Sequence, residues 1–493
     1  MLHRAALAAF VLLLAALTLC ALALTAQNGV GDNRMLQVVT LARQPFLKSL
    51  SLSLCMLAAL AGIHVLLEKI GGVRLNAGLC ALWLAAAVFW IWAIGMRQRA
   101  DAQLVMADAS QFARGYYGAL SEDYLQVYTY QLGLCLPLHV LAKLLSGPAL
   151  GQLDFAAQCL NAALLLYIVS LPTLLFAQFV YNINLMILLC AGTMLCFARY
   201  VRTGRVGFGA GYALLGGLAL AAKPNAAVVL LALFICALMH GWARKDGKIV
   251  LFAALSFAIG KGALAAVTAW YAQKGGVTFR ANVSMWARLA MGMQESPIAA
   301  GWYNNYTERF FSADVTAEQE KAQALADIGA QLCRMRENPA AALAFYREKL
   351  LTQWLEPACD MLWSGQLSEK AGRYTGVIRG IYGAPGALRG WMEGYMDAMQ
   401  TAVYALAAVG GVCALRKKGG AALLMIPVTV LGGALYHLIF EAKAQYAYPY
   451  MVYMLPLAAA GLCRLEDGAA RLICSGKKWV QRRAECARTS HRD

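Results

Sequence analysis

The stretch RAALAAFVLLLAALTLCALALTA, residues 4–26, decides the fold class. After Arg4 it carries no charge, and it outruns the apolar core of about 7–15 residues found in a secretory leader. It reaches the roughly 20 residues that cross a bilayer, where lipid leaves the backbone only its own hydrogen bonds. The basic start and the small residues near Ala26 also suit a leader, but the length favours a retained anchor. Similar stretches recur at 49–67, 77–96, 131–146, 156–178, 183–200, 206–221, 225–241, 248–269, 398–415, 420–439 and 446–463, so twelve spans are expected. Several are short and joined by tight turns, such as Lys223-Pro224-Asn225.

Composition agrees. The 493 residues are 60% hydrophobic and 14% charged, with a mean hydropathy of +0.56. Soluble domains carry about 45–50% apolar and about 25% charged residues, so an ordinary soluble enzyme is excluded, and so is a disordered chain. The net charge of +17 would suit a nucleic-acid partner if it formed a patch on a soluble face. Instead the cations sit in short loops. With the N-terminus inside, the inner loops hold Lys69 and Arg74, then Arg199, Arg202 and Arg205, then Arg244, Lys245 and Lys248, then Arg416, Lys417 and Lys418, followed by a basic tail. The outer short loops hold far fewer. Lysine and arginine accumulate in cytoplasmic loops, so both termini are expected inside and no nucleic-acid partner is expected.

The expected architecture is an all-α polytopic membrane protein. Residues 1–269 form a transmembrane bundle with a first outer loop at 97–130, and 270–397 form a helical outer loop between spans nine and ten. Residues 398–463 supply the last spans and 464–493 a basic cytoplasmic tail. In the large loop, Thr316-Ala-Glu-Gln319 reads as a capping box and Asn338-Pro339 as an N-cap followed by a first-turn proline. Its aromatic residues suit the headgroup layer, and some of them also suit sugar or lipid binding. Cys333 and Cys359 share this loop and pair only if that side is oxidising. The six histidines are scattered, and no metal site or cofactor is expected.

The first outer loop reads RADAQLVMADASQFARGYYGALSEDYLQVYTYQ over 99–131. Val105, Ala109 and Phe112 repeat with a helical period, which predicts a helix lying on the membrane surface. Asp101 starts it and shares a face with Asp108. A carboxylate at that boundary suits general-base work, or else simply complements the helix dipole. Lys261 interrupts the ninth span in Ile-Gly-Lys-Gly, where a charge is costly unless it snorkels to the interface or binds something.

This arrangement resembles the GT-C membrane glycosyltransferases, especially the protein O-mannosyltransferase and lipid A aminoarabinose transferase families and their bacterial homologues. The likeness rests on an Asp after an early span, a surface helix ending in Gly115, and a tyrosine-rich run into the next span. AAKPN (221–225), MGMQESPIAAGWYNNY (291–306) and KAQYAYPY (443–450) follow in the family's order. The chain departs where relatives often place a second acid: Ala102-Gln103 follows Asp101, which brings Asp123 forward as the alternative base.

The resemblance implies inverting transfer of a sugar from a polyprenyl-phosphate carrier to an acceptor on the outer face of the cell membrane, whether lipid, glycan or protein. It implies Asp101 as the base, Lys223 and Lys443 around the donor phosphate, and Tyr130, Gln131, Trp302, Tyr303 and Tyr446 in substrate contact; Lys261, a charge inside a span, is expected at the same phosphate on its own cost of burial. A phosphate is already a stable leaving group, so one base and several cations suffice, without a metal. Two other classes remain open: a twelve-helix secondary transporter or flippase, and a non-catalytic envelope-assembly protein.

Overall fold

The computed structural model describes residues 2–30, 37–165, 170–279, 283–311, 315–364, 373–382, 386–416 and 420–489. The chain is predominantly helical. Eight helices are long and apolar enough to cross a membrane: His3–Ala23, Phe46–Ile70, Val73–Ile94, Asn182–Thr203, Ala226–Arg244, Gly247–Gly275, Ala387–Leu415 and Ala421–Ile439. Leu132–Leu145 and Val206–Ala222 are shorter apolar helices at expected spans.

The described elements refine the expected layout. The segment 156–178 is not one span but two helices, Leu153–Leu164 and Leu171–Gln178, the second beginning with Ser170 as its cap and Pro172 in its first turn. The last helix runs from Tyr448 to Thr489 without interruption, so the expected last span continues as helix into the basic segment after Arg464. Beside its helices the chain carries one antiparallel hairpin that the sequence did not suggest, in which Leu24–Val30 pairs with Gln37–Arg43 and Leu24 lies opposite Arg43. It is anchored by Ala26 N–H donating to the Leu355 carbonyl (3.0 Å) and Val39 N–H donating to the Ile298 carbonyl (2.9 Å).

Helix packing depends on small residues. Ala387–Leu415 packs along the last helix and along Leu2–Ala23. A Cβ on Gly410 would collide with the Leu457 carbonyl, and one on Gly461 with the Leu406 carbonyl. These glycines let two backbones approach, as small residues do where apolar helices have no water-driven force between them. Val206–Ala222 packs in the same way against Gly247–Gly275, through Gly217 and Gly260.

Between the spans, local rules hold. The helix Ala100–Ala113 forms as its periodicity predicts, burying Val105, Ala109 and Phe112. Thr316 and Gln319 make the expected capping box for Ala317–Glu337. The Asn338 side chain accepts from Ala341 N–H at 3.1 Å, starting Pro339–Trp354. The loop 97–130, the turns at Lys223 and Lys443, and the segment after residue 283 all converge at one end of the bundle, around one cavity.

Candidate functional site

That cavity holds about 460 Å³. Its polar wall includes Asp101, Arg99, Arg288, Glu441 and Lys443, and its apolar wall is mostly aromatic, with Tyr128, Tyr130, Trp302, Tyr303, Trp363 and Tyr446. Aromatic walls with a few converging charges are the usual make-up of a small-molecule site. A slightly larger groove of about 510 Å³ lies between Ala317–Glu337 and Pro339–Trp354, lined by Arg309, Asp327 and Arg334. It holds none of the expected site residues.

Asp101 sits in the first turn of its helix and faces the cavity. Ala100, immediately before it, has φ +50°, a left-handed conformation costly for a residue with a Cβ. Behind Asp101 runs a buried polar chain. Lys223 Nζ donates to Asn182 Oδ1 (2.7 Å), and Asn182 Nδ2 donates to Gln131 Oε1 (3.3 Å). Gln131 Nε2 donates to the hydroxyls of Tyr124 (2.8 Å) and Tyr181 (3.2 Å), and the Tyr181 hydroxyl donates to Asp101 Oδ2 (3.2 Å). Burial, with Asp101 next in importance, pushes the Tyr124 and Tyr181 hydroxyls far up, so both remain protonated donors.

Cations flank the aromatic wall. The Lys443 ammonium lies 3.3 Å from Asp360 Oδ2 and 5.7 Å from the Trp363 ring centre. Burial pulls its pKa down, but Asp360, Glu441 and Asp101 together hold it above the ordinary lysine value. The Arg99 guanidinium stacks 4.1 Å from the same ring and donates to the Trp363 carbonyl at 3.1 Å. The Arg288 guanidinium lies 5.3 Å from the Tyr130 ring centre. Such contacts hold a cation at an apolar, aromatic surface. The Glu441 carboxyl is pushed up, chiefly by burial.

Asp360 is fully buried, and the hairpin holds it: Asn28 Nδ2 donates to its Oδ1 at 2.8 Å, and Gln37 Nε2 donates to the same oxygen. Cys359 and Asp360 both have positive φ (51° and 70°), and the Glu356 carboxylate accepts from the Ala358 and Asp360 amides across that turn. The hairpin that the sequence did not reveal thus fixes the carboxylate that fixes Lys443.

Lys223 is buried rather than open to the main cavity. It borders an adjoining chamber of about 80 Å³ that shares Tyr130, Arg288, Glu441 and Tyr446 with the main one. Its ammonium lies 4.3 Å from the Tyr181 ring centre, and burial lowers its pKa to about 7.

The structure brings together Asp101, Lys443, Tyr130, Trp302, Tyr303 and Tyr446 on the cavity wall, with Lys223 behind it. Trp302 is almost fully buried, its Nε1 donating to Thr352 Oγ1 at 3.2 Å, so it builds the wall more than it reaches inward. Gln131, expected in substrate contact, is fully buried in the polar chain behind the cavity wall and does not line it. Lys261, expected at the donor phosphate, is exposed on Gly247–Gly275 and is not among the residues lining the cavity. Cys333 and Cys359 are both free, one exposed on a helix and the other buried under Asp360, so the disulfide is not formed. Asp123 opens the short helix Asp123–Val127, and its side chain lies outside the described residues. His437 and Glu441, four apart, meet through His437 Nδ1 and the Glu441 backbone carbonyl (2.9 Å), leaving the carboxylate to the cavity.

Sequence reasoning missed Arg99, Arg288, Asp360 and Glu441 as site residues. Charges in a mostly apolar chain were the available signal, and Glu356-Pro-Ala-Cys-Asp360 placed two of them in one turn. Comparison with family models, curated proteins and solved structures returns no match.

Proposed function

We propose that the protein is a membrane glycosyltransferase that moves a sugar from a polyprenyl-phosphate carrier to an acceptor hydroxyl at the outer face of the cell membrane. The observation that carries this reading is the meeting of the Asp101 carboxylate, with Glu441 nearby, and the cations Lys443, Arg99 and Arg288 in one aromatic cavity at one end of an apolar bundle. In this mechanism Asp101 takes the acceptor proton as the acceptor oxygen bonds to the anomeric carbon from the face opposite the phosphate. The bond from that carbon to the phosphate oxygen breaks, and its electron pair leaves with the phosphate. Lys443 and Arg288 stabilise the anion, as fixed cations do where charge develops. The phosphate needs no proton to leave, unlike the alcohol released by a glycosidase. The aromatic rings take the apolar faces of the sugar, and the bilayer holds the carrier chain. Orientation follows the distribution of lysine and arginine among the short loops.

The test reconstitutes the purified full-length chain in nanodiscs with polyprenyl-phosphate hexoses and pentoses carrying a radiolabel, plus a solubilised envelope fraction as acceptor. The expected result is label in the acceptor, one free carrier phosphate per sugar moved, and loss of both in Asp101→Asn. Passage of intact donor across a sealed bilayer, with no acceptor labelled, would instead mark a flippase. No donor consumed, together with unchanged envelope glycans in cells lacking the gene, overturns the proposal.

A further inference from the structure

A second cluster of reactive side chains lies apart from the cavity, where Phe46–Ile70 meets the last helix. His64 and Glu68 stand four apart on the first, and Cys463 and Glu466 three apart on the second, so each pair shares a helix face. Ligand atoms of His64, Cys463 and Glu466 all lie within 4.8 Å of one another. Glu466 Oε2 is 2.8 Å from His64 Nδ1. An ionised carboxylate only accepts, so Nδ1 carries the proton and the Nε2 lone pair points the other way. On that side Nε2 finds Cys463 Sγ at 3.9 Å and Glu68 Oε1 at 3.9 Å.

We propose that His64 Nε2, Cys463 Sγ and the Glu68 carboxylate form a zinc-type metal site, oriented by Glu466, that clasps Phe46–Ile70 to the last helix. Tetrahedral zinc at its usual bond lengths puts neighbouring ligand atoms about 3.3–3.6 Å apart. The two spacings from Nε2, 3.9 Å each, come within about half an ångström of those values, and Glu68, 70% exposed, swings toward Cys463 to complete the set. A histidine that binds metal through one nitrogen while the other is pinned by a carboxylate is the usual outer-shell arrangement. One imidazole, one thiolate and carboxylate oxygens suit zinc or cobalt rather than magnesium. On binding, the Cys463 thiol gives up its proton to solvent, so uptake releases acid. The site has a structural use: only 6% of the most apolar window of Phe46–Ile70 is buried against protein, so few side-chain contacts fix that helix.

A simple His64–glutamate ion pair would need no cysteine, and this separates the two. The experiment loads the purified full-length chain with cobalt(II) in detergent and measures absorption and metal content, then repeats with zinc by mass spectrometry. Expected are about one metal per chain, tetrahedral cobalt bands and a thiolate charge-transfer band, with both bands lost in His64→Ala and Cys463→Ser. Glu466→Gln should weaken binding by about 10–100-fold. Should the variants not fold, the wild-type chain answers alone, because zinc should slow maleimide labelling of Cys463. Cobalt bands unchanged in Cys463→Ser, no metal uptake by the wild type, or Cys463 labelling indifferent to zinc each overturn the proposal.

Discussion

Lys223 and Asp101 are joined by an unbroken run of hydrogen bonds through Asn182, Gln131 and Tyr181, although the two side chains face different chambers. Each member donates toward the carboxylate, so the run presents a tyrosine hydroxyl to Asp101 and fixes how it points. Tyr181→Phe removes that last bond and keeps the ring under Lys223. A hydrogen bond to a charged group contributes about 1.5–3 kcal/mol. Turnover of polyprenyl-phosphate sugar should fall by about 10- to 100-fold with the thermal midpoint little changed. Wild-type turnover in Tyr181→Phe would show that the run has only a packing role.

Asp101→Asn tests the base directly. The amide still accepts from Tyr181 but takes no proton from an acceptor, so the rate should drop by about 10²–10⁴, the usual range for a general base. Donor retention, read by equilibrium binding of labelled carrier, should survive. Equal loss of binding and rate would assign Asp101 to substrate holding.

Asp360→Asn tests the scaffold beneath Lys443. The carboxylate is fully buried and its ion pair with Lys443 is partly so, so removing one partner leaves a cation in a poorly solvated place. Such losses run to about 3–5 kcal/mol. The variant should melt earlier in detergent, and Asp360→Asn with Lys443→Met should recover part of the midpoint while leaving transfer low. A double variant no more stable than the single one would show that the hairpin bonds of Asp360, not its pairing with Lys443, support the fold.

The apolar periodicity made the helices legible, and caps such as Thr316 and Asn338 marked their starts, because these signals are local. The turns at Lys223 and Lys443 were legible because a cation beside a tight apolar turn has few neutral explanations. The partner of Lys443 was not, since Asp360 reaches it only through a hairpin whose strand Leu24–Val30 reads in sequence as the end of the first span. His64 and Glu466 are 402 residues apart, and nothing local announces that meeting. Lys261 is the opposite case: the sequence marks a charge inside an apolar run, and only the packed helix shows that it stands exposed, outside the cavity lining.

Asp108 offers a pH test independent of catalysis. It is buried on the inner face of Ala100–Ala113, and burial, with Glu122 adding repulsion, raises its pKa to about 7. The unfolded value is near 4, so the folded state binds the proton more tightly than the unfolded chain does. The stability that this proton gives is complete below about pH 4 and is lost as pH rises through about 7. Asp108→Asn keeps the neutral shape at every pH. Its thermal midpoint should therefore match the wild type near pH 3, begin to exceed it by pH 5, and exceed it at pH 8 by a few degrees, on the order expected for a single buried charge. Because the comparison is a difference at each pH, other titrating groups cancel. A gap that does not change between pH 5 and pH 8 would mean that Asp108 is ionised and solvated in the folded protein, and that Ala100–Ala113 is seated less deeply than its buried face implies.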